Sequence, residues 1–164
     1  LYKAIMEENL NPETTVVLAP DIGSVKMSQS FAKALQMHFA LIDKRRFAPN
    51  KTEINHLIGN LKNLDVLIID DMVDTAGTMV NAAASAIEKG ARSVIAVATH
   101  GVLSGPAIKR IRQSKIKKII VTDTIALPVE KKIKKMKIVS VAKIFGEAVS
   151  RVHNGESVSA LFEF

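Results

Sequence analysis

Short apolar runs recur along the chain, each followed by a polar step and then by apolar residues spaced three and four apart. Val16-Val17-Leu18-Ala19, Val66-Leu67-Ile68-Ile69, Val94-Ile95-Ala96-Val97 and Ile119-Ile120-Val121 are continuous rather than alternating. Such runs suit strands of a parallel sheet covered on both faces, where neither side of the pleat meets water. Residues 138–141 form a weaker run of the same type, and Leu41-Ile42 predicts one more strand. Between the runs, Ser28, Phe31, Ala32 and Leu35 fall on one helical face, as do Ile54, Leu57, Ile58 and Leu61. Met79, Ala82, Ala83, Ala86 and Ile87 make a third stripe, with Gly90 placed to end that helix. Ser104 predicts an N-cap, with Pro106 just inside the next helix. Val141, Ile144, Phe145, Ala148, Val149 and Val152 predict a last helix whose stripe faces the core. The first ten residues read as part of a helix stopped by Asn11-Pro12.

Strands alternating with helices predict an α/β fold: a parallel sheet flanked by helices, joined by right-handed crossovers. Ligands in such sheets bind beyond the carboxyl ends of the strands, so the residues after each strand are the informative ones. The chain has 164 residues, which fits one domain. Its 48% hydrophobic content is ample for a core. No apolar run reaches the roughly 20 residues that span a bilayer. The absence of cysteine excludes disulfides, thiolate metal sites and cysteine nucleophiles.

The chain carries a formal net charge of +7, unevenly spread. Residues 109–137 hold eleven Lys and Arg against two acids, a local net of +9, which leaves a net of −2 on the rest. No Phe, Tyr or Trp lies in that segment, so a stacking platform for single-stranded nucleic acid is missing. A solvated basic face is the preferred reading, and neither nucleic acid nor membrane is expected as a partner.

The stretch Asp70-Asp71-Met72-Val73-Asp74-Thr75-Ala76-Gly77-Thr78 follows one predicted strand and enters a helix. A helix N-terminus offers free N–H groups and a positive dipole end to a phosphate. Ala76 and Gly77 allow close backbone approach, Thr75 and Thr78 add hydroxyls, and Asp70 and Asp71 can accept from sugar hydroxyls or join a magnesium shell. A phosphate grip beside diol acceptors describes a sugar-phosphate site; a strand-end acidic pair with an ordinary cap is the plain alternative. Pro20-Asp21-Ile22-Gly23-Ser24 repeats the strand, acid, glycine order after the first run. It is either a second anion cradle with a metal-binding carboxylate or a tight turn. Asp43-Lys44-Arg45-Arg46 places three cations after another strand, either a clamp for a phosphoryl group or surface charge. His38, His56, His100 and His153 show no ligand spacing and read as structural. No P-loop, dinucleotide fingerprint, nucleophile elbow or zinc-protease motif is present.

These residues resemble the C-terminal half of ribose-phosphate pyrophosphokinase (phosphoribosyl pyrophosphate synthetase), over nearly the whole chain. The 70–78 stretch resembles the ribose 5-phosphate loop that type I phosphoribosyltransferases share more loosely. Asp43-Lys44-Arg45-Arg46 resembles the family's catalytic flexible loop. Ala98-Thr99-His100-Gly101-Val102-Leu103-Ser104-Gly105, Val121-Thr122-Asp123-Thr124 and Glu156-Ser157-Val158-Ser159-Ala160-Leu161-Phe162 are typical of the synthetase.

The resemblance implies a type I phosphoribosyltransferase-like fold and, as function, transfer of pyrophosphate from ATP to the C1 hydroxyl of ribose 5-phosphate. It implies Mg2+ as cofactor, a cytoplasmic setting and a homo-oligomer, hexameric or dimer-based, at full length. Lys44 and Arg46 would be catalytic, Arg46 also touching the reacting phosphates. Asp70, Asp71, Asp74, Thr75, Ala76, Gly77 and Thr78 would hold ribose 5-phosphate, and Asp21 would be a magnesium ligand. Ser157, Ser159 and Phe162 match a regulatory phosphate or ADP site. Two positions depart from the family pattern: Gly23-Ser24 stands where two glycines are usual, and Met27 near a usual basic residue. The expected domain is thus one half of an enzyme, inactive alone. The alternative is a non-catalytic regulatory subunit that binds sugar phosphate. A transferase that consumes phosphoribosyl pyrophosphate fits less well.

Overall fold

The structure is a computed structural model that describes residues 1–45 and 54–162. Among these residues, seven strands form one sheet: β1 (Thr15–Ala19), β2 (His38–Arg45), β3 (Ile54–Ile58), β4 (Asp65–Val73), β5 (Ser93–Gly101), β6 (Lys118–Thr122) and β7 (Met136–Val139). Five α-helices accompany them: α1 (Tyr2–Met6), α2 (Val25–Leu35), α3 (Gly77–Glu88), α4 (Ala107–Gln113) and α5 (Ala142–His153). The strand order is β3-β2-β1-β4-β5-β6-β7. Every neighbouring pair is parallel except β2 and β3.

The continuous apolar runs become the central strands, and their alternate residues feed two cores. Val16, Leu18, Val66, Ile68, Val94, Ala96 and Ile119 pack beneath Met79, Ala82, Ala83 and Ala86 of α3, with Ala107 and Ile111 of α4. Val17, Leu67, Ile69, Ile95, Val97 and Ile120 pack beneath Ala4 and Ile5 of α1, with Ala32 and Leu35 of α2. Burial on both faces is why these strands show no polar alternation.

Three sequence expectations change. The stripe Ile54, Leu57, Ile58 and Leu61 is not a helix; residues 54–58 form β3, antiparallel to β2. Over so few residues a helical spacing does not exclude a strand. Leu61 is buried in the core all the same, while Ile58 stays 59% exposed. The chain turns off β3 at Gly59, whose φ is +109° and where a Cβ would lie 2.9 Å from Ala40 Cβ. Second, Ser104 does not cap α4: Pro106 holds that position, and the Ser104 hydroxyl is engaged by Asp74. Third, α5 forms where expected, but none of its residues is buried. Phe145, Val149 and Val152 are all more than 60% exposed, because the helix follows edge strand β7, beyond which the sheet offers no further surface.

The predicted N-terminal helix is α1, shorter than its sequence suggests. It ends at Met6, before the expected stop at Asn11-Pro12, where the Asn11 side chain instead accepts from the Glu13 N–H at 2.9 Å and caps a short 3-10 turn. Gly90, at φ +90°, lies just past the end of α3. Among the described residues no helix is long and apolar enough to cross a membrane.

Candidate functional site

The strand order reverses between β1 and β4. Chains leaving these neighbours diverge, α2 to one face of the sheet and α3 to the other. A crevice opens between them beyond the carboxyl ends, the usual ligand position in open α/β sheets. Asp21 follows β1, and Asp70 and Asp71 lie in the last part of β4.

Asp21 closes its own turn. Its Oδ1 accepts from the Ser24 N–H at 3.1 Å, and its backbone carbonyl accepts from the Ser24 hydroxyl at 3.1 Å. Ser24 has φ −90°, an ordinary conformation that does not require glycine. Its hydroxyl turns inward, and the residue is buried. Met27 packs against the core on the α2 side.

Asp70 accepts from the Asp71 N–H at 3.1 Å. Burial pushes its carboxyl up to about pKa 6, and the charges of Asp21 and Asp71 add to the shift. Removal from water and like charge both disfavour the ionised form. A hard divalent cation with oxygen ligands would relieve that excess of negative charge. Among the described residues, however, no three His, Asp or Glu side chains form a ready-made metal group.

Residues 70–79, except Asp71, line a cavity of about 170 Å³. Ala76 precedes α3 with φ +61° and offers no capping side chain. The left-handed conformation costs a non-glycine residue about 1–2 kcal/mol. The first N–H groups of α3 have no partner within the helix, so their residues line the cavity with free donors at the positive end of the dipole. A Cβ on Gly77 would stand 3.5 Å from the Arg110 guanidinium and 3.8 Å from the Thr75 hydroxyl.

Distant residues brace this loop. The Leu103 N–H donates to the Val73 carbonyl at 3.0 Å and the Ser104 N–H to the Asp74 carbonyl at 3.2 Å. The Ser104 hydroxyl donates to the Asp74 carboxylate. Arg110, from α4, donates to the Thr75 carbonyl at 3.0 Å. The sequence reading missed Arg110 by grouping it with the basic run, and missed Ser104 by casting it as a cap. Their contacts cross 30 and 35 positions of chain. Pattern within a single segment carries no signal for such pairs.

Lys44 lies near the carboxyl end of β2, opposite Asn55 of β3. The last β2 pair with β1 is Leu41 with Ala19. From there β2 continues as a two-stranded arm with β3, which carries Lys44 about 10 Å past the sheet edge at 3.3 Å per residue. Arg46 lies outside the described residues. At the β5 and β6 ends, His100 Nδ1 is 2.9 Å from the Thr124 hydroxyl, and the Thr122 hydroxyl donates to the Thr99 carbonyl at 2.7 Å. The structure thus gathers Asp21, Asp70, Asp71, Asp74 and the 75–78 turn around the crevice. Ser157 and Ser159 sit elsewhere, beyond α5, where the Ser159 N–H donates to the Ser157 hydroxyl at 3.2 Å and Arg151 to the Ser157 carbonyl at 3.1 Å. The Phe162 side chain lies outside the described residues.

Residues 45–163 match the family model of the phosphoribosyl synthetase-associated domain. The chain is 49% identical over 162 residues to ribose-phosphate pyrophosphokinase of Caldanaerobacter subterraneus subsp. tengcongensis, covering 99% of this chain and 51% of that protein. It superposes on the crystal structure of phosphoribosylpyrophosphate synthetase from Mycobacterium smegmatis with TM-score 0.86 and 32% identity, covering 94% of this chain and 49% of that one. Adenine phosphoribosyltransferase from Giardia lamblia aligns with TM-score 0.55 and 16% identity, covering 73% of this chain and 75% of that one, a likeness of fold alone. The fold is that of the type I phosphoribosyltransferases, and the chain spans about half the length of the curated relatives it matches.

Proposed function

The chain belongs to the phosphoribosyl synthetase-associated domain family, and on that premise we propose that it is the C-terminal half of a ribose-phosphate diphosphokinase. In this reading it binds ribose 5-phosphate and joins an ATP-binding half to transfer pyrophosphate to the C1 hydroxyl, in the cytoplasm, within a homo-oligomer. One observation carries the reading. A strained turn at a helix N-terminus, beside raised-pKa and partly buried Asp70, stands at the point where the strand order reverses.

The division of labour follows from the chemistry. Free N–H groups of α3, with the Thr75 and Thr78 hydroxyls, bind the 5-phosphate. Asp70 and Asp71 accept from the sugar hydroxyls and so orient C1. Charge accumulates on the transferring group, and positioned cations stabilise it. Lys44 on its arm and Arg46 beyond it supply those cations. Magnesium favours oxygen donors and keeps several waters, and Asp21 and Asp70, whose charges act on one another, could each supply a carboxylate oxygen to it. When bound it would neutralise phosphate charge; the carboxylates' own part is to fix its position.

The alternative, a non-catalytic regulatory subunit, rests on the departures at Ser24 and Met27. The departures at Ser24 and Met27 have structural roles, one closing the Asp21 turn and the other filling the core.

Calorimetry with ribose 5-phosphate and Mg2+ on this chain tests the site. Saturable binding is expected without AMP formation from ATP, and no heat at millimolar ligand would sink the assignment. In the whole enzyme, Lys44→Ala is expected to abolish AMP formation while leaving ribose 5-phosphate binding in place.

A further inference from the structure

The amino ends of β6 and β7 face away from the crevice. There Arg112 of α4, Lys117 before β6, and Lys132, Ile133, Lys134 and Lys135 before β7 line a cavity of about 660 Å³. Five cations from three separate segments converge, and no acid shares the lining. The segments are held by backbone bonds: Lys117 N–H to the Val94 carbonyl at 2.8 Å, Ile119 N–H to the Lys135 carbonyl at 2.8 Å, and Met136 N–H to the Ile133 carbonyl at 2.9 Å.

Two other lysines of the same basic run are neutralised. Lys118 pairs with Glu8 at 2.5 Å, and Lys137 pairs with Glu7 at 2.9 Å and Glu8 at 3.3 Å. Lys135 donates to the Ser114 carbonyl at 3.0 Å and so caps the end of α4. Arg112, Lys117, Lys132 and Lys134 form no ion pair among the described residues. From this run the fold sets Lys118 and Lys137 against acids and gathers Arg112, Lys117, Lys132, Lys134 and Lys135 around a concavity. Like charges brought together repel, and a bound anion is what removes that repulsion.

We propose that this cavity is an anion site, separate from the crevice, for a compact oligophosphate. Its chemistry narrows the ligand. No aromatic side chain lines it, so a nucleobase finds no stacking partner. No carboxylate lines it, so sugar hydroxyls find no charged acceptor. Several cations around one hollow match charge concentrated in a small volume, and Arg112 adds a planar fork that matches phosphate.

Inorganic tripolyphosphate, titrated calorimetrically into this chain in magnesium-free buffer at about 0.1 M KCl, tests the site. One saturable site is expected. Lys132→Ala with Lys134→Ala should weaken it at least tenfold, and Arg112→Gln measurably. Gly77→Val, in the crevice loop, and Lys143→Ala, on α5, should leave it unchanged. Arg112→Gln carries the test if the double variant does not fold by circular dichroism. No saturable heat at millimolar tripolyphosphate would overturn the proposal. So would loss of binding in Gly77→Val, equal weakening by Lys143→Ala, or tighter binding of an RNA oligomer than of tripolyphosphate.

Discussion

The two ends of the sheet meet anions in opposite ways. At the carboxyl end, the candidate phosphate loop holds carboxylates and free N–H groups, and among the described residues Arg110 reaches it through the Thr75 carbonyl. At the amino end, unpaired side-chain cations surround the cavity and no carboxylate lines it. Backbone donors are fixed by the fold and recognise shape. Long cationic side chains recognise charge and are screened by salt. On the proposed readings, the carboxyl end suits a ligand held in a fixed pose, and the amino end suits a charge class. The basic composition, which first suggests nucleic acid, sorts mostly to the end away from the crevice.

The largest break in this comparison comes from Gly77→Val. A branched side chain on a residue lining the small cavity takes up space proposed for the phosphate, so ribose 5-phosphate binding should fall at least tenfold, about 1.4 kcal/mol. Raising KCl from about 0.1 to 1 M shortens the screening length from about 10 to 3 Å. That change should weaken tripolyphosphate binding at the amino end far more than ribose 5-phosphate binding at the crevice. Calorimetry at both salts checks this, and equal salt sensitivity would erase the distinction.

Asp70→Asn sharpens the comparison from the acidic side. Hydrogen bonds to a charged group contribute about 1.5–3 kcal/mol, so ribose 5-phosphate affinity should drop about tenfold or more. Stability should move the other way. The Asp70 carboxyl titrates near pH 6 in the fold, above its ordinary value. Between about pH 4 and 6 the native state therefore binds more protons than the unfolded one, and stability falls as pH rises through that window. The variant should melt higher than the parent at pH 8, with the gap closing toward pH 4. A variant that melts lower at pH 8 would show that Asp70 is not frustrated in the empty site.

Arg110→Ala tests whether the 70–78 segment depends on the cation that braces it. Losing a net hydrogen bond of about 1 kcal/mol should loosen the 70–78 turn and weaken ribose 5-phosphate binding about fivefold. Unchanged affinity would make Arg110 a bystander.

Much of this was legible in the chain, for reasons that differ by element. Val66 to Ile69 and Val94 to Val97 are buried on both faces, so their apolar runs are unbroken and unmistakable. The crevice segment runs from the end of a strand into a helix within nine consecutive residues, so its place between the two could be read locally. Ile54 to Ile58 could not be settled, because five residues fit either period and the deciding fact is the free edge of β2. The α5 stripe signalled a helix correctly and a buried face wrongly. Amphipathicity shows that a face is apolar and not whether this chain covers it. Arg110 and Ser104 were invisible because each acts on the loop across a long separation in sequence.

The smallest effect tests whether the strain at Ala76 belongs to function. Ala76 takes φ +61°, where glycine has no steric cost. Ala76→Gly should recover about 1–2 kcal/mol of local strain. The same change removes a methyl group that is buried against the first core, a loss of about 0.8 kcal/mol, and it frees the unfolded chain by roughly 0.4–1 kcal/mol. These terms nearly cancel, so the melting temperature should shift by only a few degrees in either direction. Affinity should respond more clearly. With glycine the turn samples more conformations, the α3 N–H groups lose their fixed aim, and ribose 5-phosphate binding weakens a few-fold while the amino-end site is untouched. A stabilised variant that binds as tightly as the parent would show that the left-handed alanine is merely tolerated. A variant of unchanged stability that binds less tightly would show that the strained turn is held by its neighbours, Leu103, Ser104 and Arg110, in order to aim those donors.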